Sequence, residues 1–197
     1  MKELSEKELR YDIRIAGSGG QGIILAGIIL AEAAMLEDRF VAQSQNYGPE
    51  ARGGVSIAQV VLSEVEIDYP WVFNLDLLLA LTQKACDDNL ADMKPEGIVI
   101  VDSDLVERVL WEKVIRLPFG QIARGLGEER AINMAALGGL ACFCPFISRR
   151  SLATAMAKRL PSAKVAANLL AFDEALKLAH NLRRSLKSVE TGEEFEI

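Results

Sequence analysis

Ile13-Arg14-Ile15-Ala16-Gly17-Ser18-Gly19-Gly20-Gln21-Gly22 is the stretch on which the fold turns. Ahead of the glycines, Tyr11 to Ala16 alternates, with Ile13 and Ile15 on one face, and reads as a first strand. Behind them, Ile23 to Glu37 is apolar nearly all round, the pattern of a buried helix. Strand, glycine turn and buried helix together open an α/β unit. Glycine lets the backbone turn tightly and lets a ligand approach without a Cβ in the way. The helix start adds unpaired N–H groups and the positive end of the dipole. Gly17, Gly19, Gly20, Gln21 and Gly22 are therefore candidate anion-binding residues, suited to a diphosphate. The competing reading is a turn that serves only tight strand–helix packing.

Gly17, Gly19 and Gly22 formally match G-x-G-x-x-G, the dinucleotide fingerprint. That fingerprint also needs an acidic residue about 20 positions on, ending the second strand. Here the second strand reads Phe40-Val41-Ala42-Gln43-Ser44, and Asp38 precedes it. No Gly-Lys-Ser/Thr follows the loop, so a Walker loop is excluded. A stand-alone dinucleotide-binding module stays as the alternative.

Further along, Val55 to Leu62, Leu75 to Leu81 and Ile98 to Val101 are apolar runs of strand length. Gln83 to Met93 looks helical, with Lys94-Pro95-Glu96-Gly97 as its stop signal. Strands with little exposure, alternating with helices, predict helices on both faces of a largely parallel or mixed sheet. The later part is more helical. The pattern predicts one helix over Glu128 to Phe143 and another from Arg149 to Leu160, capped by Ser148 and ended by Pro161. A longer helix runs from Ala163 to about Lys187. Residues 1–10 read as a polar extension, 11–187 as one domain, and 188–197 as an acidic mobile tail. Gly138, Gly139 and the apolar run Leu140 to Ile147 are either core or an interface patch.

A second loop, Gln45-Asn46-Tyr47-Gly48-Pro49-Glu50-Ala51-Arg52-Gly53-Gly54, gathers a turn signal, a glycine pair, an acid, a base and a tyrosine. Loops that concentrate special residues are where function collects. Arg52 can offer its planar fork to a phosphate or carboxylate. The plainer reading is an Arg52–Glu50 surface pair of little energetic weight.

The bulk properties narrow the function. The chain has 197 residues, is 50% hydrophobic, and carries a net charge of −6. No basic field exists to draw nucleic acid. The start is charged, unlike a secretory signal, and no apolar run is long enough to span a bilayer, so a cytoplasmic protein is expected. Three cysteines, Cys86, Cys142 and Cys144, and one histidine, His180, are too few for a convincing metal centre or hydrolytic triad. No metal ligand and no catalytic acid or base is assigned.

The first loop, followed at this distance by Tyr47-Gly48-Pro49-Glu50-Ala51-Arg52-Gly53-Gly54, resembles the gamma subunit of 2-oxoacid:ferredoxin oxidoreductases. The resemblance continues through Asp68-Tyr69-Pro70, the Asp76 to Leu81 strand, Val101-Asp102 and the helix Asn133-Met134-Ala135-Ala136-Leu137-Gly138-Gly139-Leu140. It covers roughly residues 10 to 180. The Tyr-Gly-Pro-Glu-x-Arg-Gly-Gly form looks most like the 2-oxoglutarate branch. The resemblance implies an α/β fold, a three-layer α/β/α sandwich with a mixed, largely parallel sheet and a helical C-terminal region.

It also implies a non-autonomous subunit. Such enzymes decarboxylate a 2-oxoacid on thiamine diphosphate, pass electrons through iron–sulfur clusters to ferredoxin, and deliver the acyl group to coenzyme A. Thiamine diphosphate, Mg2+ and the clusters are expected in partner subunits: alpha, beta and, as an option, delta. A hetero-oligomer follows, with a homodimer the open case for the isolated chain. The chain itself is expected to help form the coenzyme A site through Gly17, Gly19, Gly20, Gln21, Gly22, Asn46, Tyr47, Arg52 and Gly53. Asn133 is either a helix cap or a site residue. A purely structural scaffold is the remaining alternative.

Overall fold

A computed structural model describes residues 10–47 and 54–191, apart from the side chains of Tyr47 and 187–191. β1 (Arg10–Ser18) leads through the glycine turn into α1 (Ile23–Met35). β2 (Phe40–Tyr47) and β3 (Val55–Ser63) form an antiparallel pair. Then come β4 (Leu75–Ala80), α2 (Gln83–Asp87), β5 (Met93–Asp102), β6 (Val114–Leu117) and α3 (Phe119–Gly125). The chain ends in α4 (Ile132–Phe143), α5 (Arg149–Arg159) and α6 (Ser162–Thr191).

One sheet of six strands runs in the order β2-β3-β1-β4-β5-β6. β1, β4, β5 and β6 are mutually parallel, while β3 runs against both its neighbours. The sheet separates two apolar layers. Ile13, Ile15, Val60, Leu62, Leu77 and Leu79 point into a thick layer built from α1, α4, α5 and α6. Ala16, Val61, Leu78, Val99 and Val101 point into a thin one, closed by Ala85 and Cys86 of α2 and by Val72 and Val106 of connecting segments. This is the expected mixed, largely parallel three-layer α/β/α sandwich. Central strands covered on both faces cannot alternate, which is why β4 and β5 read as continuous apolar runs.

The dinucleotide arrangement is absent from this topology. After α1 the chain does not return beside β1; β3 lies between β1 and β2. An acid ending β2 would therefore not sit next to the first glycine turn, as a ribose-binding residue must.

The run Leu140 to Ile147 is core rather than a surface patch: Leu140, Cys142, Cys144 and Ile147 are buried. α4 and α6 pack closely because Gly138 sits against the backbone of Phe172, where a side chain would overlap the carbonyl oxygen.

Four boundaries differ from expectation. The Gln83 to Met93 helix is a short α2 followed by a 3-10 turn, Leu90–Asp92. Lys94 to Gly97 does not stop a helix but lies inside β5, where the register against β4 shifts between Leu75 and Leu77. A proline without an N–H is tolerated at such an irregularity. The Glu128 to Phe143 helix begins as a 3-10 turn, Glu129–Ala131, before α4. β2 extends to Tyr47, so Gln45, Asn46 and Tyr47 are strand residues rather than loop. β6 and α3 had no expected counterpart. Ser148 does cap α5, accepting from the Ser151 N–H at 3.2 Å. α6 continues through the first residues of the expected tail to Thr191; residues 192–197, and 1–9 of the N-terminal extension, lie outside the described residues.

Candidate functional site

The glycine turn stands at the carboxyl end of β1, beside the carboxyl ends of β4 and β5. In open α/β sheets this end collects ligands. Gln21 closes the turn: its Oε1 accepts the Ser18 N–H at 2.7 Å, and its own N–H donates to the Ser18 carbonyl at 3.2 Å. Its side chain is thus turned inward, while Gly19 and Gly20 are exposed.

Gly22 is the N-cap of α1 and has φ +72°, a conformation that favours glycine. Buried Asn133 of α4 donates from Nδ2 to the Gly22 carbonyl at 3.1 Å, and its Oδ1 accepts the Met134 N–H at 3.0 Å. Asn133 is therefore neither a plain cap nor an open ligand group; it braces the turn from behind. Because Gly22 has no side chain, the start of α1 has no side-chain cap, and its first turn has no acid. Its N–H groups keep their partial positive charge, worth about 0.3–1 kcal/mol per favourable anion contact.

Two arginines that the sequence reading missed face this turn. Gly20, Gln21, Gly120, Arg124, Glu129, Arg130 and Ile132 line an open hollow of about 390 Å3. Arg124 pairs with Asp104 at 3.1 Å, and both partners are partly exposed. Arg130 is exposed at the 3-10 turn before α4. Asp102 fixes this corner. It is fully buried and accepts the N–H groups of Asp104 (2.9 Å), Leu105 (3.1 Å) and Gly120 (2.8 Å). Exposed arginines in no motif give a sequence little to signal. They reach the turn only because β6 and α3 carry them there.

The second loop adjoins the first: the Gly19 N–H donates to the Gly54 carbonyl at 3.1 Å. Arg52 and Gly53 lie outside the described residues, and of Tyr47 only the backbone is described, paired with Ser56. Asn46 is exposed and lines a different hollow, of about 490 Å3, with Ser44, Gln45, Gln59, Tyr69, Trp71, Val72 and Phe73. The structure therefore brings the first-loop residues together with Arg124 and Arg130, and sets the Asn46 side chain elsewhere.

The hollow joins an uncapped helix start to two arginines, a chemistry suited to an anion. Among the described residues, Arg124, Glu129 and Arg130 are the ionisable side chains lining the glycine hollow. Burial pushes the Cys86 and Cys144 thiols up to about 11, and raises Cys142 as well, so none is a ready thiolate at neutral pH. Cys142 Sγ lies 3.5 Å from His180 Nδ1 in the helical layer, away from the glycine turn. Among the described residues no group of three His, Cys, Asp or Glu could hold a metal ion, and no helix is long and apolar enough to cross a membrane.

A diphosphate suits what is present: the exposed backbone at Gly20, an uncapped helix start and two arginines around one hollow. Known proteins resemble the chain along most of its length. The family model for pyruvate ferredoxin/flavodoxin oxidoreductase matches residues 12–178. The 2-oxoglutarate synthase subunit KorC of Methanocaldococcus jannaschii is 41% identical, over 89% of this chain and 97% of that protein. The crystal structure of the keto/oxoacid ferredoxin oxidoreductase gamma subunit from Geobacter sulfurreducens superposes with a TM-score of 0.77 at 38% identity, covering 87% of this chain and 99% of that one. The 2-oxoglutarate:ferredoxin oxidoreductase from Magnetococcus marinus, solved with 2-oxoglutarate, coenzyme A and succinyl-CoA bound, gives a TM-score of 0.78 at 28% identity over 88% of this chain and 31% of the longer one.

Proposed function

The chain belongs to the pyruvate ferredoxin/flavodoxin oxidoreductase family, and from that premise we propose that it is the gamma-type subunit of a cytoplasmic 2-oxoglutarate:ferredoxin oxidoreductase. The complete enzyme converts 2-oxoglutarate to succinyl-CoA and carbon dioxide and reduces ferredoxin. Thiamine diphosphate with Mg2+ and the iron–sulfur clusters, held by alpha and beta subunits and optionally a delta subunit, supply the decarboxylation and electron-transfer chemistry. This chain packs on the thiamine-binding subunits and presents one wall of the coenzyme A site.

The observation that carries the reading is the joining of the two glycine loops at the carboxyl end of β1, with Arg124 and Arg130 across the hollow. Gly20 offers its backbone to the diphosphate of coenzyme A, beside Gly19, whose N–H is held by the Gly54 carbonyl. Arg130, and Arg124 once it lets go of Asp104, meet its phosphate oxygens. We assign Arg52, Gly53 and Tyr47 a share in the same ligand, while Asn46, whose side chain lines the other hollow, takes none. Gln21, Gly22 and Asn133 hold the turn in shape. No residue of this chain transfers a proton.

The test is omission. The isolated chain reduces neither ferredoxin nor a viologen dye. Co-expressed with its partner subunits it gives reduction that requires both 2-oxoglutarate and coenzyme A. Full activity in a complex lacking this chain would sink the proposal.

A further inference from the structure

The segment between β3 and β4 carries three large aromatic side chains that nothing in the glycine site uses. Tyr69, Trp71 and Phe73 are 51%, 57% and 61% exposed, whereas Val72 between them is 7% exposed and anchored in the thin layer of the core. Scattered exposed apolar residues are ordinary, but a contiguous cluster is not. The cluster is held in place. Tyr69 and Phe73 stack with ring centroids 5.4 Å apart and 12° between planes. Arg10 donates to the Tyr69 carbonyl at 2.7 Å and to the Trp71 carbonyl at 2.8 Å, and is itself fixed by Asp12 at 2.9 Å.

The aromatics line the hollow of about 490 Å3 together with the polar side chains of Ser44, Asn46 and Gln59. Gln59 stands next to Arg14, which is buried and held by Asn89 at 2.8 Å and by Asp92. Rigid aromatics around a concavity with polar side chains resemble the anchor pockets of protein interfaces, which are rich in Tyr, Trp and Phe.

Charge decides which partner fits. The sequence holds no Lys or Arg from Gly53 to Gln83, but four acids: Glu64, Glu66, Asp68 and Asp76. Glu64 is paired with Arg39 at 2.5 Å and Asp76 with Lys94 at 2.6 Å. Glu66 and Asp68 are exposed, and no ion pair neutralises them among the described residues. Arg10 against the ridge is paired with Asp12, so the two unpaired acids just before Tyr69 leave this segment net acidic. A second copy of this chain would bring the same acids and repel; a basic surface would complement it.

We infer that the Tyr69–Trp71–Phe73 ridge, with the hollow it lines and the exposed acids Glu66 and Asp68 just before it in the chain, docks a partner subunit that presents an apolar anchor flanked by Lys or Arg. This rests on the reading of the chain as a subunit of a larger oxidoreductase. The anchor fills the hollow against Gln59, and the basic flank meets the two acids. Arg10 is a positioning residue that holds the aromatic segment ready.

The test uses the complete enzyme, co-expressed with a tag on this chain. Partner subunits recovered on the tag are measured for wild type, Trp71→Ser/Phe73→Ser, Glu66→Lys/Asp68→Lys and the control Leu110→Ser, which alters another strongly exposed apolar residue. The aromatic variant is expected to lower recovery at least about tenfold, as loss of an interface anchor does. The charge-reversed variant should lower it by several-fold, most at low salt, and the control should match wild type. Circular dichroism melts of the tagged chains check folding; should the aromatic variant unfold, the charge-reversed one decides alone. Full recovery of partners by folded aromatic and charge variants overturns the inference and leaves the subunit reading intact. A homodimer broken by the aromatic variant, with partner recovery unchanged, also overturns it. Failure of the wild-type chain to recover any partner subunit removes both.

Discussion

Gly19 donates its backbone N–H to the carbonyl oxygen of Gly54 over 3.1 Å. Thirty-four residues of sequence lie between the two, and this one bond ties the end of the second glycine loop to the first. It works because β3 runs antiparallel to β1, so Val55 pairs with Ser18 and the second loop ends where the first begins. Loop geometry, brace and arginines can then be perturbed separately.

Gly22 combines a positive φ with contact to Asn133 Nδ2, which a side chain would overlap. Gly22→Ala should cost about 1–3 kcal/mol of stability, from backbone strain and the clash together. In an Asn133→Ala background the clash is relieved, and the cost should fall to about 1 kcal/mol. A double-mutant cycle by urea unfolding checks this; additive costs would contradict the brace.

The approach of α4 to α6 gives a second test. Gly138→Ala drives a methyl group into the Phe172 carbonyl and should cost about 1–3 kcal/mol by overpacking. Gly125, at the end of α3, has open space around its Cβ position and no positive φ. Gly125→Ala should be neutral or gain up to about 1 kcal/mol. Thermal melts of both variants compare them directly.

Much of this was legible in the sequence. The β1–turn–α1 unit, the buried strands and the Ser148 cap all announce themselves, because burial and capping leave periodic or positional signals. Lys94 to Gly97 misled, since Pro and Gly end helices more often than they occupy a shift in strand register. β6 gave little to read, being only Val114 to Leu117. Arg124 and Arg130 were invisible as site residues, because exposed arginines acquire meaning only from what the fold places opposite them. Asn133 was ambiguous for the same reason: its partner is Gly22, more than a hundred residues earlier in the chain.

Alkaline pH should weaken the fold. Cys86 and Cys144 start from 9.0 and are pushed up to about 11 by burial, so the folded state holds protons that the unfolded chain releases. Their contribution to stability is complete below about pH 9 and is lost as pH rises toward about 11. Burial raises Tyr11 as well, which extends the decline upward. Melting temperatures under reducing conditions should fall across this window, and fall less steeply in Cys86→Ala/Cys144→Ala. An identical decline in that variant would refute the assignment.

The central claim is that this chain forms a coenzyme A-facing wall, and steady-state kinetics of the assembled enzyme test it most directly. Viologen reduction is followed at varied coenzyme A and varied 2-oxoglutarate for wild type, Arg130→Gln and Arg52→Ala. Removing one charged hydrogen-bonding partner from a phosphate should raise the KM for coenzyme A by about tenfold in each variant, corresponding to roughly 1.4 kcal/mol, with the KM for 2-oxoglutarate within about twofold of wild type. An unchanged KM for coenzyme A in both variants, in fully assembled complexes, would contradict the claim and leave the chain a structural scaffold.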